Sequence, residues 1–319
     1  MSVDLALNWM SVQSANLRLL IDVVLLGGIL ALGKNFRRIW GRPTQRGFFC
    51  DDESLMYPYK ENTVTSAMLH WTSFNLPLAA LVILESYRCW RRSGAGSRWV
   101  KFWPVYNTVR WFLFGHVAEQ FIKDMGKQLI GRLRPHFLAI CRPLFPDGSS
   151  CNDSGPGQSH VYHIDYTCQS KLSGATEEMI RDVHVSFPSG HSAMAFYGLI
   201  FMVLYLQRIR WPTPSTLLRP LCQLMLVGLA TFIGLSRVTD YKHHWSDVLA
   251  GSLLGASIAL AVFCGAEKEL QLHLHANASG PQTVVPSASA VVAKTDGELA
   301  TGVEQLPHDL CLVTCHSSN

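Results

Sequence analysis

Between Ser236 and Asp247 the chain reads Ser-Arg-Val-Thr-Asp-Tyr-Lys-His-His-Trp-Ser-Asp, and three of these residues have the types and spacing of a phosphoryl-transfer centre. Arg237 offers a planar fork that matches phosphate oxygens. His243 and Asp247 stand four apart, so one helical turn brings the carboxylate under the imidazole. A carboxylate on one ring nitrogen fixes the tautomer and makes the other nitrogen the better nucleophile. His244 adjoins His243, but adjacent residues do not share a helix face. No Cys or Glu cluster stands beside the pair to complete a zinc site.

Two earlier stretches supply what this one lacks. In Lys127-Gln-Leu-Ile-Gly-Arg-Leu-Arg134-Pro135, residues seven apart on a continuing helix differ by only about 20° around the axis. Lys127 and Arg134 then face one anion pocket while Arg132 points elsewhere, and Pro135 ends the helix. Standing alone, the stretch reads equally well as a basic collar for lipid headgroups. In Pro188-Ser189-Gly190-His191, Ser189 is a natural N-cap and Gly190 lets a ligand approach the backbone. Free amides at the helix start favour a phosphate. His191 can give a proton to the leaving group, although an isolated His at a helix start is more commonly a solvated surface residue. Three cations, a hydroxyl, helix-start amides, two histidines and one carboxylate suit phosphoryl transfer through a phosphohistidine. No carboxylate cluster is available for Mg²⁺, so neither a metal nor a cofactor is expected.

These motifs lie at the ends of apolar segments. Of 319 residues, 48% are apolar and 16% charged. Six segments approach the length of a membrane span: Leu17–Leu32, Val64–Leu84, Pro104–Ile122, His191–Leu206, Leu221–Leu235 and Val248–Ala266. The expected fold is all-α, a polytopic membrane bundle of six transmembrane helices over residues 17–266. A polar lead, 1–16, precedes it and a disordered tail, 267–319, follows it. Asp22 inside the first segment should face the bundle, and Pro77 in the second is a tolerated kink. The first 16 residues carry no Lys or Arg, so the first helix is expected to be an uncleaved anchor. The net charge of +4 is spread over loops without a run of one sign, which argues against a nucleic-acid partner.

Orientation is contested by charge. With both termini on the cytosolic side, the second and fourth loops carry eight Lys/Arg, but the first (34–63) has six and the third (123–187) seven. Two features favour a luminal or extracellular first and third loop, joined there by residues 236–247. The Asn152-Asp153-Ser154 sequon can be glycosylated only on that side. Cys50, Cys141, Cys151 and Cys168 also fall there, four disulfide candidates with three possible pairings.

The three motifs, Lys127-x6-Arg134-Pro135, Pro188-Ser189-Gly190-His191 and Ser236-Arg237-x5-His243-x3-Asp247, together resemble those of the type 2 phosphatidic acid phosphatase superfamily. More narrowly, Arg46-Gly-Phe-Phe-Cys-Asp-Asp-Glu-Ser54, Tyr57-Pro-Tyr-Lys-Glu61, Gly131-Arg-Leu-Arg-Pro-His-Phe137 and Tyr241-Lys-His-His-Trp-Ser-Asp247 are similar to the animal lipid phosphate phosphatases. The resemblance runs from about residue 46 to 265 and stops before the tail. It implies phosphate binding by Lys127, Arg134, Ser189, Gly190 and Arg237, a His243 nucleophile oriented by Asp247, and His191 as general acid. It further implies Mg²⁺-independent hydrolysis of phosphatidate, lysophosphatidate, sphingosine 1-phosphate and ceramide 1-phosphate on the outer face of the plasma membrane or of secretory-pathway membranes, often by a homo-oligomer. Two alternatives are a non-catalytic protein that binds lipid phosphates or scaffolds partners, and an enzyme for soluble phosphate esters or polyprenyl diphosphates.

Overall fold

The computed structural model describes residues 2–41, 43–92, 98–153, 160–209 and 215–278. Long helices coincide with all six apolar segments. They are α1 (Ser2–Trp40), α2 (Ser66–His70) running through a π-turn (Trp71–Asn75) into α3 (Leu76–Arg92), α4 (Arg98–Ile130), α8 (Gly190–Arg208), α9 (Leu218–Thr239) and α10 (Trp245–Ala278). Four helical stretches are long and apolar enough to cross a membrane: Ser66–Arg91, Gly190–Arg208, Leu218–Thr239 and Trp245–Glu269. Helix α4 carries Arg110, His116, Glu119, Lys123 and Asp124 along its length. Asp22 of α1 does face the bundle, accepting from the Tyr106 hydroxyl at 2.7 Å and Arg110 Nη1 at 2.9 Å.

Helix α8 is the centre of the bundle. Tyr197, Phe201 and Tyr205 on it are fully buried against Leu81 of α3, Phe112 of α4 and Ala259 of α10. Leu224, Met225 and Phe232 of α9 and Leu249 and Leu253 of α10 are exposed, as lipid-facing side chains would be. Close backbone approach sets the packing. Pro77 has no N–H to give the Ser73 carbonyl, and Gly198 of α8 fills the freed space, where a Cβ would stand 1.8 Å from that oxygen. A Cβ on Gly255 of α10 would meet the Ala193 carbonyl of α8 at 2.1 Å. Gly255→Ala is therefore expected to cost about 1–3 kcal/mol by overpacking. On α9 a Cβ at Gly228 meets nothing within 4 Å, so Gly228→Ala should leave the unfolding temperature level or raised. Thermal unfolding of the two variants in detergent checks the contrast.

The ends of three helices depart from expectation. Residues 2–16 continue α1 rather than forming a separate lead, and α10 runs past Ala266 to Ala278. Polar anchors carry it on: Glu267 pairs with Arg208 at 2.7 Å, and Glu269 accepts from Trp111 Nε1 at 2.8 Å. The rest of the expected tail, 279–319, lies outside the described residues. Helix α4 stops at Ile130, because Gly131 turns left-handed (φ 55°) and its N–H caps the Lys127 carbonyl. A Cβ at Gly131 would overlap the Thr44 carbonyl at 1.8 Å, so the turn and the close approach both require glycine.

The long third loop is itself folded. Strands β1 (Phe48–Phe49) and β3 (Tyr162–His163) pair antiparallel, as do β2 (Pro143–Leu144) and β4 (Thr167–Cys168). Short helices α5 (Phe137–Cys141), α6 (Ser170–Ser173) and α7 (Glu177–Asp182) complete a cap. Its own core holds Phe48, Leu55, Leu133, Phe137, Ile140, Phe145 and Val183. Disulfides Cys50–Cys151 and Cys141–Cys168 tie the first loop to the third and close the third upon itself. The Asn152 side chain and Ser154 of the sequon lie outside the described residues.

Candidate active site

Three chain segments meet at the end of the bundle under the cap. Ser189 caps α8, its Oγ accepting from the Ser192 N–H at 3.4 Å. The Ser189 N–H donates to the Asp247 carbonyl at 3.0 Å, joining the start of α8 to the start of α10. A Cβ on Gly190 would stand 3.8 Å from Lys127 Nζ, so Lys127 reaches the α8 start from α4. On the third segment, the N–H groups of Lys242 and His243 both donate to the Arg237 carbonyl, at 3.0 and 3.2 Å, after a left-handed Tyr241 (φ 55°). That turn folds His243 back beside Arg237.

Arg134 arrives by a different route from the expected one. Since α4 ends at Ile130, Lys127 and Arg134 do not share a helix. Residues 132–134 instead run beside 183–186, with Arg134 N–H to Val183 O at 2.9 Å and Ser186 N–H to Arg132 O at 2.8 Å. Arg134 is 5% exposed and donates through Nη2 to Asp182 at 2.7 Å. Arg237, 2% exposed, donates through Nη1 to Asn62 Oδ1 at 2.9 Å.

His243 and Asp247 are both buried, but they are not in direct hydrogen-bond contact. His243 Nδ1 lies 3.9 Å from Asp247 Oδ2 and 3.4 Å from Ser186 Oγ, which donates to the same carboxylate oxygen at 2.6 Å. Asp247 also accepts from Arg132 Nη1 at 2.6 Å. His244, which the sequence leaves without a role, lies closer: its backbone N–H and its Nδ1 stand 3.1 and 3.2 Å from Asp247 Oδ2. The backbone contact is a helix-start box, in which the residue at the third position accepts from the capping residue. Burial, reinforced by the charges of Arg134, Lys127 and Arg237, holds the His243 imidazole well below its ordinary pKa, with only Asp247 opposing. At neutral pH the ring is neutral. Its Nδ1 faces Ser186 and Asp247 at 3.4 and 3.9 Å, which leaves Nε2 on the other side of the ring.

Three buried nitrogens in this pocket have no hydrogen-bond partner among the described residues: the donors Nε of Arg134 and Nε of Arg237, and Nε2 of His191, which donates or accepts according to its protonation. Each orphan costs about 1–3 kcal/mol. A ligand with several acceptor oxygens and negative charge would satisfy both guanidinium groups, and His191 as well when its Nε2 is protonated. Among the described residues no three His, Cys, Asp or Glu side chains are grouped as metal ligands.

Residues 108–270, which contain all eight motif residues placed here, match the PAP2 superfamily. This chain belongs to that family. Phospholipid phosphatase 1 of Mus musculus is 39% identical over 241 residues, covering 73% of this chain and 80% of the relative. Phospholipid phosphatase 2 of Homo sapiens is 38% identical, covering 70% and 73% respectively. A Drosophila melanogaster protein, named provisionally as a phosphatidate phosphatase, is 40% identical over 70% of this chain, and the match spans 61% of its length. No solved structure matches the chain. The PAP2 assignment and the apolar helices make it a multi-pass membrane phosphatase.

Around this PAP2 site the structure adds residues that motif spacing does not show. Arg132, which a continuous helix would turn away from this site, instead bonds Asp247 within it. Ser186 bridges Asp247 and His243 from just before the second motif. The first loop closes over the third motif. Asn62 bonds Arg237, and the Thr63 N–H and hydroxyl donate to Asp240 at 2.8 and 2.7 Å. Polar residues in Glu61-Asn62-Thr63 were the available signal, but a chain folding back on itself has no local period to read.

Proposed function

We propose that this PAP2 protein hydrolyses lipid phosphate monoesters, such as phosphatidate, lysophosphatidate, sphingosine 1-phosphate and ceramide 1-phosphate, through a phosphohistidine. The observation that carries the reading is the pair of orphaned guanidinium donors on Arg134 and Arg237, with the unpartnered Nε2 of His191, around a buried, neutral His243. In the first step His243 Nε2 forms a bond to phosphorus. The bond from phosphorus to the lipid oxygen breaks, and His191 protonates the departing alkoxide. In the second step water attacks phosphorus, His191 takes its proton, and the P–N bond breaks to release phosphate. Lys127, Arg134, Arg237 and the amides at the start of α8 neutralise charge on the equatorial oxygens. Asp247 stabilises the imidazolium character that His243 gains on attack, acting at 3.9 Å and through Ser186. The names of the phospholipid phosphatase relatives support a lipid alcohol as leaving group.

The six-span topology belongs to the same proposal. It places the cap and the pocket on the luminal or extracellular side, where the two cap disulfides find an oxidising compartment. Asn152 is then the residue open to glycosylation, and a glycosidase shift lost in Asn152→Gln tests the orientation. For the activity, purified protein in lysophosphatidate micelles is expected to release phosphate at the same rate in EDTA as in Mg²⁺. An EDTA-sensitive rate would sink the metal-free mechanism. Faster hydrolysis of water-soluble esters than of lipids would sink the substrate assignment.

A further inference from the structure

Charge pairing in the pocket sets two lysines apart. Arg132 is bonded to Asp247 and Arg134 to Asp182, and Arg237 faces Asp240 at 3.8 Å. Among the described residues neither Lys127 nor Lys242 is in ion-pair contact with a carboxylate. Lys127 stands at the α8 start. Lys242 immediately precedes His243, with its Nζ 3.5 Å from the centre of the Tyr59 ring. A phosphate monoester carries about −1.5 to −2 charge at neutral pH, so two unneutralised cations suit it better than one.

We infer that Lys242 is a further phosphate-binding residue, contacting the monoester oxygens from the mouth of the pocket while the Tyr59 ring holds its ammonium in place. Lys242 is only 4% exposed, and a buried ammonium without a carboxylate is unfavourable unless an anion completes it. Burial, with the charges of Arg134 and Arg237, brings its pKa down to about 8, so it is still mainly cationic at neutral pH and shares the field of both guanidiniums. Cation–π contact fixes the ammonium without neutralising it. Tyr59 is braced edge-on by His136 at 5.5 Å, and His136 Nδ1 bonds the Tyr241 carbonyl at 2.7 Å. Tyr57 stacks on Tyr241 at 4.6 Å, so the first loop and the third motif form one lip. A purely structural Lys242 would bring its charge into contact with a carboxylate or to solvent, whereas Asp182 and Asp240 act on it only from beyond ion-pair distance.

The inference rests on the phosphohydrolase reading for its substrate, but its test uses inorganic phosphate. The full-length protein is unfolded thermally in detergent over a phosphate series, and the rise in Tm reports apparent affinity. Lys242→Met is expected to weaken phosphate affinity about tenfold or more, and Lys242→Arg about threefold at most, with phosphate-free Tm level or raised in Lys242→Met and level in Lys242→Arg. Tyr59→Phe should bind like the wild type, and Tyr59→Leu several-fold more weakly. Equal phosphate affinity in Lys242→Met and wild type overturns the inference. So does a Lys242→Arg variant as weak as Lys242→Met. If Lys242→Met does not fold, Tyr59→Leu decides, because Tyr59 is 44% exposed and tolerates replacement; unchanged affinity there also overturns it. Lys242-dependent phosphate binding in a protein that releases no lipid phosphate would remove the proposed activity and leave this site standing.

Discussion

His243→Ala should abolish lipid phosphate release, lowering kcat on the order of 10⁴-fold or more, as removal of a covalent nucleophile does elsewhere. The variant should remain folded. His243 is held by its backbone N–H to the Arg237 carbonyl at 3.2 Å, and that bond survives truncation of the side chain. Inorganic phosphate should still bind, because Lys127, Arg134 and Arg237 are untouched. Loss of turnover with retained phosphate binding therefore marks a chemical role. Turnover equal to that of the wild type would remove the phosphohistidine from the mechanism. The same residue predicts a pH dependence. Attack requires the neutral imidazole, and burial among Arg134, Lys127 and Arg237 holds its pKa well below the ordinary value. Activity that depends on this group is present above its depressed pKa and is lost as pH falls through it. The acid limb of kcat/KM should thus lie well below pH 6.5, the value for an unperturbed histidine. A limb at 6.5 would mean that His243 is solvated during the reaction.

How much of this was legible in the sequence follows from where each interaction's partners lie. The six apolar segments could be read because a span needs a long run of one composition, and the long helices coincide with them. Seven of the eight motif residues could be singled out because they sit in or beside a helix end, with types that such an end uses; Arg134 is the exception. The route by which Arg134 reaches the pocket is not local: Pro135 reads as the helix stop, whereas Gly131, four residues earlier, turns left-handed where the Thr44 carbonyl leaves no room for a Cβ. That contact comes from the first loop, far away in sequence. The cap was invisible for a similar reason. Its strands are two residues long, too short for any alternation, and its core joins Phe48 to Phe137, Phe145 and Val183 across separate loops. His244 is the sharpest case. Spacing to Asp247 picked His243, while the start of α10 gives the shorter contact to His244, by capping geometry that is a property of the helix boundary.

That sharing of Asp247 makes it the second position where substitution should have a large effect. Its side chain is fully buried and accepts from Arg132 at 2.6 Å, Ser186 at 2.6 Å and the His244 N–H at 3.1 Å, with His243 at 3.9 Å. In Asp247→Asn one oxygen becomes an amide that faces a donor. Either Arg132 or Ser186 and His244 then lose their acceptor, and a neutral side chain no longer balances charge that develops on His243. Arg132 is 31% exposed, so losing this pair should cost less than losing a fully buried one, about 3–5 kcal/mol. With His243 3.9 Å away, the loss in kcat should fall below the roughly 10⁴-fold found where carboxylate and histidine bond directly. Two further variants divide the effect. Arg132→Met removes a half-exposed partner and leaves the carboxylate charged, so it should lower the unfolding temperature while keeping most of kcat. Ser186→Ala removes the bridge to His243 at little cost to the ion pair, so it should lower kcat by about tenfold at nearly constant KM and unfolding temperature. If Arg132→Met lost as much kcat as Asp247→Asn, the carboxylate would serve catalysis by being held in place. If Ser186→Ala were silent, the 3.9 Å contact to His243 alone would carry the electrostatic role. The expected ordering, with Arg132 weighted to stability and Ser186 to kcat, separates the two uses of one carboxylate.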